Sequence, residues 1–440
     1  MRLFNQANAI RLPYLLKNIP FPVHFLFVLL LSISSSAVAH PINAKSENGR
    51  LPDPEMRILG ISDHLYRGEF EIAEGELIEL IAENPDFRLA QLMYAEVLST
   101  NSGFKPGFSD WLKPGSADVA SLVDELRRRD AHRNETAEFQ AGKIPDFLLQ
   151  LSPSQKQVIV VDSKLSRAHV FRNENNQLSL VGDYYITVGK NGVLKRAEGD
   201  GKTPTGVYFI TSRLDPLGLD DLYGDGALPL NYPNEWDQRL GRSGFGIWLH
   251  GVPHNTYNRA PFATQGCVAF PNEDISLLYN TADIKNTPVV ITRQINWVNN
   301  TRNDRLRQTL KREIDGWRED WSLGDMDNVE AYYSSSFHNG KLGRTDWLTQ
   351  QRDKLSGVSQ GEIQIDDLSI FKYPDNPSLV VASFDRGYQT DSASVSERMR
   401  QYWRMDETGE WSIVYEGRAS YQPVHFKGIP DAVRPVLASE

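Results

Sequence analysis

The periodicity of the chain changes twice along its length, and those changes limit what it can build. Between Pro54 and Ser99 apolar residues recur at helical spacing. Leu77, Leu80 and Ile81 share one face, and Leu89, Leu92, Met93 and Val97 share another, with Asn84-Pro85-Asp86 as a break between them. From Gln157 the pattern becomes short β-rich runs at 158–161, 168–171, 178–180, 184–188, 207–210, 247–250 and 289–292, punctuated by Gly, Asn, Asp and Pro. Many short strands with little helix between them predict a β-sandwich or closed sheet. After Trp297 the helical period returns, with Leu306, Leu310, Ile314, Trp317 and Trp321 on one face of a helix ending at Leu323-Gly324. A second helix over 326–333 and strands at 362–371, 379–388, 397–405 and 411–417 complete an α+β pattern. The reading is a multidomain chain: an α-helical region over 40–154, a mostly-β domain over 155–297, an α+β domain over 298–425 and a tail over 426–440. The N-terminal helices offer a face for homodimer formation.

Residues 1–24 carry Arg2, Arg11 and Lys17 and no acid; the apolar run Phe25–Leu31 and the small-x-small site Ala37-Val38-Ala39 follow. That order reads as a signal peptide over 1–39, cleaved after Ala39, which predicts an exported, periplasmic protein. The apolar run is shorter than the ~20 residues a membrane span needs, so no transmembrane span is expected. The formal net charge is −10, which argues against a nucleic-acid partner held by phosphate neutralisation. The acid surplus lies in the flanks, because residues 155–295 hold 14 cationic and 14 acidic side chains. An anionic ligand would meet no repelling field there.

Cys267 is the only cysteine, which excludes an intrachain disulfide and a Cys-rich zinc site. An odd thiol in an exported protein is either buried and inert or a nucleophile. Its neighbours favour the second reading. It lies in Thr264-Gln265-Gly266-Cys267-Val268-Ala269-Phe270, where Gly266 permits the sharp turn that aims backbone amides at one spot. Seventeen residues upstream, His250-Gly251 ends the apolar run Ile247-Trp248-Leu249. A thiol beside an imidazole is the minimal unit for acyl transfer. His254 follows four residues after His250, but Gly251 and Pro253 forbid the helix an i, i+4 zinc pair needs, so no metal and no cofactor is expected. Asp220, Asp221 and Asp225, in the long segment 215–242, read as solvated turn residues, and the segment's length suggests a lid.

His250-Gly251, Thr264-x-Gly266-Cys267 and the upstream Lys202-Thr203-Pro204-Thr205-Gly206 resemble the L,D-transpeptidase (YkuD-like) catalytic domain over about 155–295. Gln265 stands where that family usually has His, and Ala269 where it has Arg; the second departure resembles the YafK-like branch. The resemblance implies Cys267 as nucleophile, His250 as general base, and the Gly251 carbonyl fixing the ring tautomer. It further implies Gly266 and Cys267 amides as oxyanion donors and Thr264 bracing the loop. Gln265, His254, Arg242 and Arg259 are the candidate substrate-binding residues, the arginines as replacements for the missing carboxylate partner.

The implied substrate is the peptidoglycan stem tetrapeptide, attacked between meso-diaminopimelate and D-alanine through a thioester. An amine acceptor makes a transpeptidase and water makes an L,D-carboxypeptidase. An amidase of the diaminopimelate link to a wall-linked lipoprotein is a third outcome, and an inactive peptidoglycan-binding module is the alternative of another class. Residues 300–420 resemble the nuclear-transport-factor-2-like cone, and the combined layout resembles the L,D-carboxypeptidases that set helical cell shape. Tyr332, Tyr333, Tyr388 and Trp403 are available to line a pocket in that cone. The cone is expected to be separable, so that a chain ending near Trp297 would still cleave a soluble tetrapeptide.

Overall fold

The computed structural model describes residues 53–101, 117–140, 142–355, 363–389 and 394–421. The expected signal peptide and the tail over 426–440 lie outside the described residues. Contacts divide the chain into two units, 1–123 and 124–440. In the first, helices Pro54–Tyr66, Phe70–Glu83 and Arg88–Asn101 bury Ile58, Ile61, Leu77, Leu80, Leu89 and Val97. The first helix opens with the Asp53 side chain accepting from the Glu55 amide and with Pro at its first position, where a missing N–H costs nothing. Among the described residues no helix is long and apolar enough to cross a membrane.

The second unit begins within the helix Ala117–Gln140 and contains the catalytic-type sheet. Five strands run in the order Gln177–Tyr185, Arg167–Glu174, Gln157–Asp162, Pro288–Thr292 and Gly206–Phe209, all antiparallel except the central 157–162 and 288–292 pair. A three-stranded sheet of Val268–Ala269, Trp248–His250 and Ala227–Pro229 packs with it. Ile159, Val161 and Val289 of one sheet and Leu228, Leu249 and Val268 of the other share one core. The segment 215–242 is not a plain loop: it holds a paired strand, two 3-10 turns and the short helix Glu235–Arg239.

The C-terminal part is a helical layer against a curved antiparallel sheet. The helix Asn300–Leu323 buries Leu310, Ile314, Trp317 and Trp321 and stops at Gly324, whose φ of 73° is the left-handed cap that glycine favours. The meander Gln364–Lys372, Leu379–Gln389, Ser394–Met405 and Trp411–Arg418 follows, after a further helix, Arg344–Leu355, that periodicity did not suggest. Tyr333 and Trp403 are buried in the core of this layer, while Tyr332 and Tyr388 pack partly buried against it. The interior expected to open as an aromatic pocket is therefore filled by two of its four candidate lining residues.

Two features correct the expected organisation. The region 40–154 ends in strands: Lys143–Pro145 pairs with Trp297–Asn299, and Leu148–Gln150 joins the edge of the C-terminal sheet beside Gln364–Lys372. Pro145 blocks helix continuation, and Leu148 and Leu149 point to opposite sides, into two different cores. The cone is also not a separate body. Phe147, Val158, Val160, Phe171, Val207, Phe209, Trp236 and Val290 form one apolar cluster with Phe371, Tyr373, Val381, Tyr402 and Val414. The buried Glu235 and Arg400 close the junction with two hydrogen bonds of 2.7 and 2.8 Å.

Candidate active site

His250 ends its strand with Ala269 as its partner on the parallel neighbour, and Val268 lies beside Leu249. Cys267 therefore falls next to Trp248, and side chains two residues apart along a strand share a face, so thiol and imidazole sit on the same side of the sheet. His250 is 3% exposed, and its Nδ1 lies 2.6 Å from the Gly251 carbonyl oxygen. Only a protonated Nδ1 can donate to a carbonyl, which leaves Nε2 as a bare acceptor, the state a general base requires.

The glycine after His250 permits this arrangement. A Cβ on Gly251 would lie 2.2 Å from Asn272 Oδ1 and 3.0 Å from both the Tyr223 carbonyl and the Asp225 amide. Asn272 ties the turn together, accepting from the Asp225 and Val252 amides and donating to the Val252 carbonyl. The Gly251 amide in turn donates to the Tyr223 carbonyl at 2.9 Å. The Tyr223 ring stands edge-on to His250 with centroids 5.2 Å apart and covers Trp248 at 4.8 Å. The segment 215–242 thus reaches His250 through Tyr223.

On the nucleophile side, Gly266 adopts φ 134°, and a Cβ there would meet the Lys202 carbonyl at 2.7 Å. Thr264 Oγ1 donates to the Cys267 carbonyl at 2.7 Å and accepts from the Gly266 amide at 3.1 Å. Thr203, from the Lys-Thr-Pro-Thr-Gly run, donates to the Gly266 carbonyl at 2.9 Å. Thr264 therefore holds the turn, but it does so by occupying the Gly266 amide. The expected role of Gly266 as an oxyanion donor is corrected on that ground: its hydrogen points at a hydroxyl within its own loop.

The thiol donates to the Gly246 carbonyl at 3.2 Å. Burial pushes the Cys267 thiol up to about 11, against the Trp248 amide, Lys195 and Arg259, which pull it down. Burial also lowers His250 to about 4, although its hydrogen bond to Gly251 opposes this. At neutral pH these shifts leave both groups uncharged.

The remaining candidates separate clearly. Arg259 is half-buried, acts electrostatically on both Cys267 and His250, and among the described residues has no acidic partner. Arg242 is different: it is bound to the buried Asp237 at 2.8 Å and so already has a carboxylate, which corrects its expected substrate role. His254 is exposed and held by Asp221 and Asp225, which raise its pKa through hydrogen bonds, Asp221 first. Gln265 is exposed beside the turn. Lys195, Tyr223 and Asn272 escaped sequence reasoning. Lys195 is 3% exposed, its Nζ bonded to Asp200 at 2.8 Å.

Residues 156–291 match the model of the L,D-transpeptidase catalytic domain, YkuD. The middle of the chain is an L,D-transpeptidase-type domain. Residues 309–417 match the Cds6 C-terminal NTF2-like domain, so the chain joins that domain to an L,D-transpeptidase-type one. The whole is similar to Bd1075 of Bdellovibrio bacteriovorus, with 26% identity and a TM-score of 0.53 over 64% of this chain and 99% of that one. Its fold is similar to the helical cell shape determining protein Pgp2 of Campylobacter jejuni, with 22% identity and a TM-score of 0.52 over 62% of this chain and 95% of that one. No curated protein matches the chain.

The pH dependence of this L,D-transpeptidase-type site follows from the two shifts. His250 must be neutral to accept the thiol proton, and its pKa is lowered, so acid removes activity only as the pH falls through about 4. A plot of kcat/KM against pH should be flat from weakly acid to weakly alkaline conditions. An acid limb at the ordinary histidine value of about 6.5 would show that the ring is charged and solvated at rest.

Proposed function

We propose that the protein is an exported cysteine acyltransferase that trims peptidoglycan stem tetrapeptides, with water as the final acceptor. The observation that carries this reading is the hydrogen bond from His250 Nδ1 to Gly251, which leaves Nε2 free on the face that carries Cys267. As Cys267 Sγ attacks the meso-diaminopimelate carbonyl, His250 Nε2 takes the thiol proton. The Cys267 amide donates to the oxyanion, since the Gly266 amide is committed to Thr264. Collapse breaks the C–N bond, and His250 returns the proton to the leaving amine of D-alanine. Water, deprotonated by the same nitrogen, then attacks the thioester and releases the tripeptide and the thiol.

Arg259 is the carboxylate partner for the terminal D-alanine in this reading. It stands beside the thiol without an acidic neighbour among the described residues, whereas Arg242 is already paired. A charge-assisted hydrogen bond is worth about 1.5–3 kcal/mol, so Arg259→Ala should lower kcat/KM by roughly 10–100-fold. A tetrapeptide capped as its C-terminal carboxamide should lose little in the same variant. Equal losses on both substrates would remove Arg259 from this role.

Hydrolysis as the outcome is supported by the layout, because the same pairing of domains resembles the L,D-carboxypeptidases that set helical cell shape. The deciding experiment incubates the mature protein with disaccharide tetrapeptide, with and without a D-amino acid, and weighs the products. Loss of one alanine in both samples is expected. Incorporation of the D-amino acid or dimer formation would make the protein a transpeptidase. No change to the tetrapeptide, with release of a diaminopimelate–lysine amide instead, would make it the amidase.

A further inference from the structure

A second cluster of functional side chains lies outside the thiol site, on the outer strands of the five-stranded sheet. His169 and Asp183 face each other as direct cross-strand partners on Arg167–Glu174 and Gln177–Tyr185. Such partners have Cβ atoms about 5 Å apart. The helix Ala117–Gln140 lays His132 over the pair, with His132 Nε2 bonded to Asp183 Oδ2. One ligand atom from each of the three side chains lies within 4.8 Å of the other two. His132 is 4% and His169 2% exposed, so both rings are nearly dry, while Asp183 is partly exposed.

The His169 ring makes this more than a buried ion pair. Among the described residues neither of its nitrogens has a hydrogen-bond partner, and Nδ1 stands 3.6 Å from Asp183 Oδ1, too far to bond. A neutral imidazole always carries one N–H and one lone pair, so burial without partners leaves both groups unsatisfied at a cost in free energy. Among the described residues Asp183 Oδ1, 3.6 Å from that ring, also has no hydrogen bond. The ring is held edge-on against Trp297 with centroids 5.6 Å apart, which restricts its escape to another rotamer.

We propose that His132, His169 and Asp183 form a zinc site that clamps the helix to the outer strands of the catalytic sheet. Two imidazoles and one carboxylate are a donor set suited to Zn²⁺, with water as the fourth ligand. A tetrahedral ion with bonds of about 2.1 Å sets its ligands roughly 3.4 Å apart, so the most widely spaced ligand atoms, up to 4.8 Å apart, must close by up to roughly 1.4 Å while the hydrogen-bonded His132–Asp183 pair opens to admit the ion. Arg167 Nη1 lies 3.9 Å from Asp183 Oδ1 and competes for the carboxylate, which weakens the site relative to one without a neighbouring cation. The same helix also meets the sheet through Arg129, stacked 3.9 Å from the Tyr185 ring, and through Glu125, which accepts from Asn258 beside Arg259. Metal at this point would hold a strut that reaches the substrate side of the active site.

The test uses the mature chain carrying Cys267→Ala, so that the thiol cannot bind metal, stripped with chelator and titrated with zinc chloride in a calorimeter. One zinc per chain and a raised melting temperature are expected, and Co²⁺ should give the visible bands of tetrahedral nitrogen and oxygen ligation. His169→Gln and Asp183→Asn should weaken binding by at least the roughly 10–100-fold that loss of a supporting partner costs. Because either variant could disturb packing, each is first required to melt cooperatively without metal. Absence of saturable binding overturns the site, as does zinc affinity unchanged in both variants. Either result would leave the tetrapeptide reading standing, since that assay runs on the thiol alone.

Discussion

Cys267→Ala should yield no measurable tripeptide from disaccharide tetrapeptide, with a melting curve superimposable on that of the parent protein. The turn is held by contacts that do not involve sulfur: Thr264 bonds the Cys267 carbonyl and the Gly266 amide, and Thr203 bonds the Gly266 carbonyl. A methyl group in place of the thiol loses one hydrogen bond to Gly246, worth about 1 kcal/mol or less for a weak S–H donor. Chemistry has no substitute nucleophile, because the chain holds no other cysteine. Product formed at near the parental rate would end the thioester mechanism, and with it the role given to His250.

Ending the chain after Trp297 should remove the cooperative melting transition of the catalytic unit, contrary to what a chain of independent modules would do. Phe147, Val158, Val160, Phe171, Val207, Phe209, Trp236 and Val290 would lose the side chains they pack against in the C-terminal sheet. Full burial of one large apolar side chain is worth about 1.5–3 kcal/mol, so even half of that over this group rivals the total stability of a domain, about 5–15 kcal/mol. Dye binding to exposed apolar surface, together with loss of near-ultraviolet dichroism, would report the collapse. A truncated chain that melts cooperatively and still trims tetrapeptide would show that the shared core is dispensable.

Much of the scaffold was legible in the sequence because its core strands are short apolar, β-branched runs bounded by turn residues, such as 158–161 and 289–292, and its long C-terminal helix repeats Leu310, Ile314, Trp317 and Trp321 at helical spacing. The thiol and imidazole were legible for a chemical reason, since Gly266 permits a sharp turn before the single cysteine and His250-Gly251 ends an apolar run upstream of it. Pairings between distant residues were not legible. Nothing near Glu235 announces Arg400, its buried partner 165 residues away. The Leu148–Gln150 strand is too short to show a period and takes its identity from a partner more than two hundred residues away. The His132–His169–Asp183 cluster was not legible either, since its members lie on three separate elements and meet only when a helix crosses a sheet.

The placement of Leu148–Gln150 at the edge of the C-terminal sheet also bears on how the molecule assembles in time. A chain made from its N-terminus presents this segment early, yet its partner Gln364–Lys372 is produced only after the whole catalytic domain. Until then the strand's backbone donors and acceptors are unpaired and its leucines exposed, a template for wrong pairing with another copy. Closing so long a loop is slow, because the entropy of closure is lost before the contact returns anything. The thiol domain therefore waits for a strand made long after it, and a stop between Cys267 and Gln364 leaves His250 and Cys267 synthesised while Leu148–Gln150 has no strand to pair with.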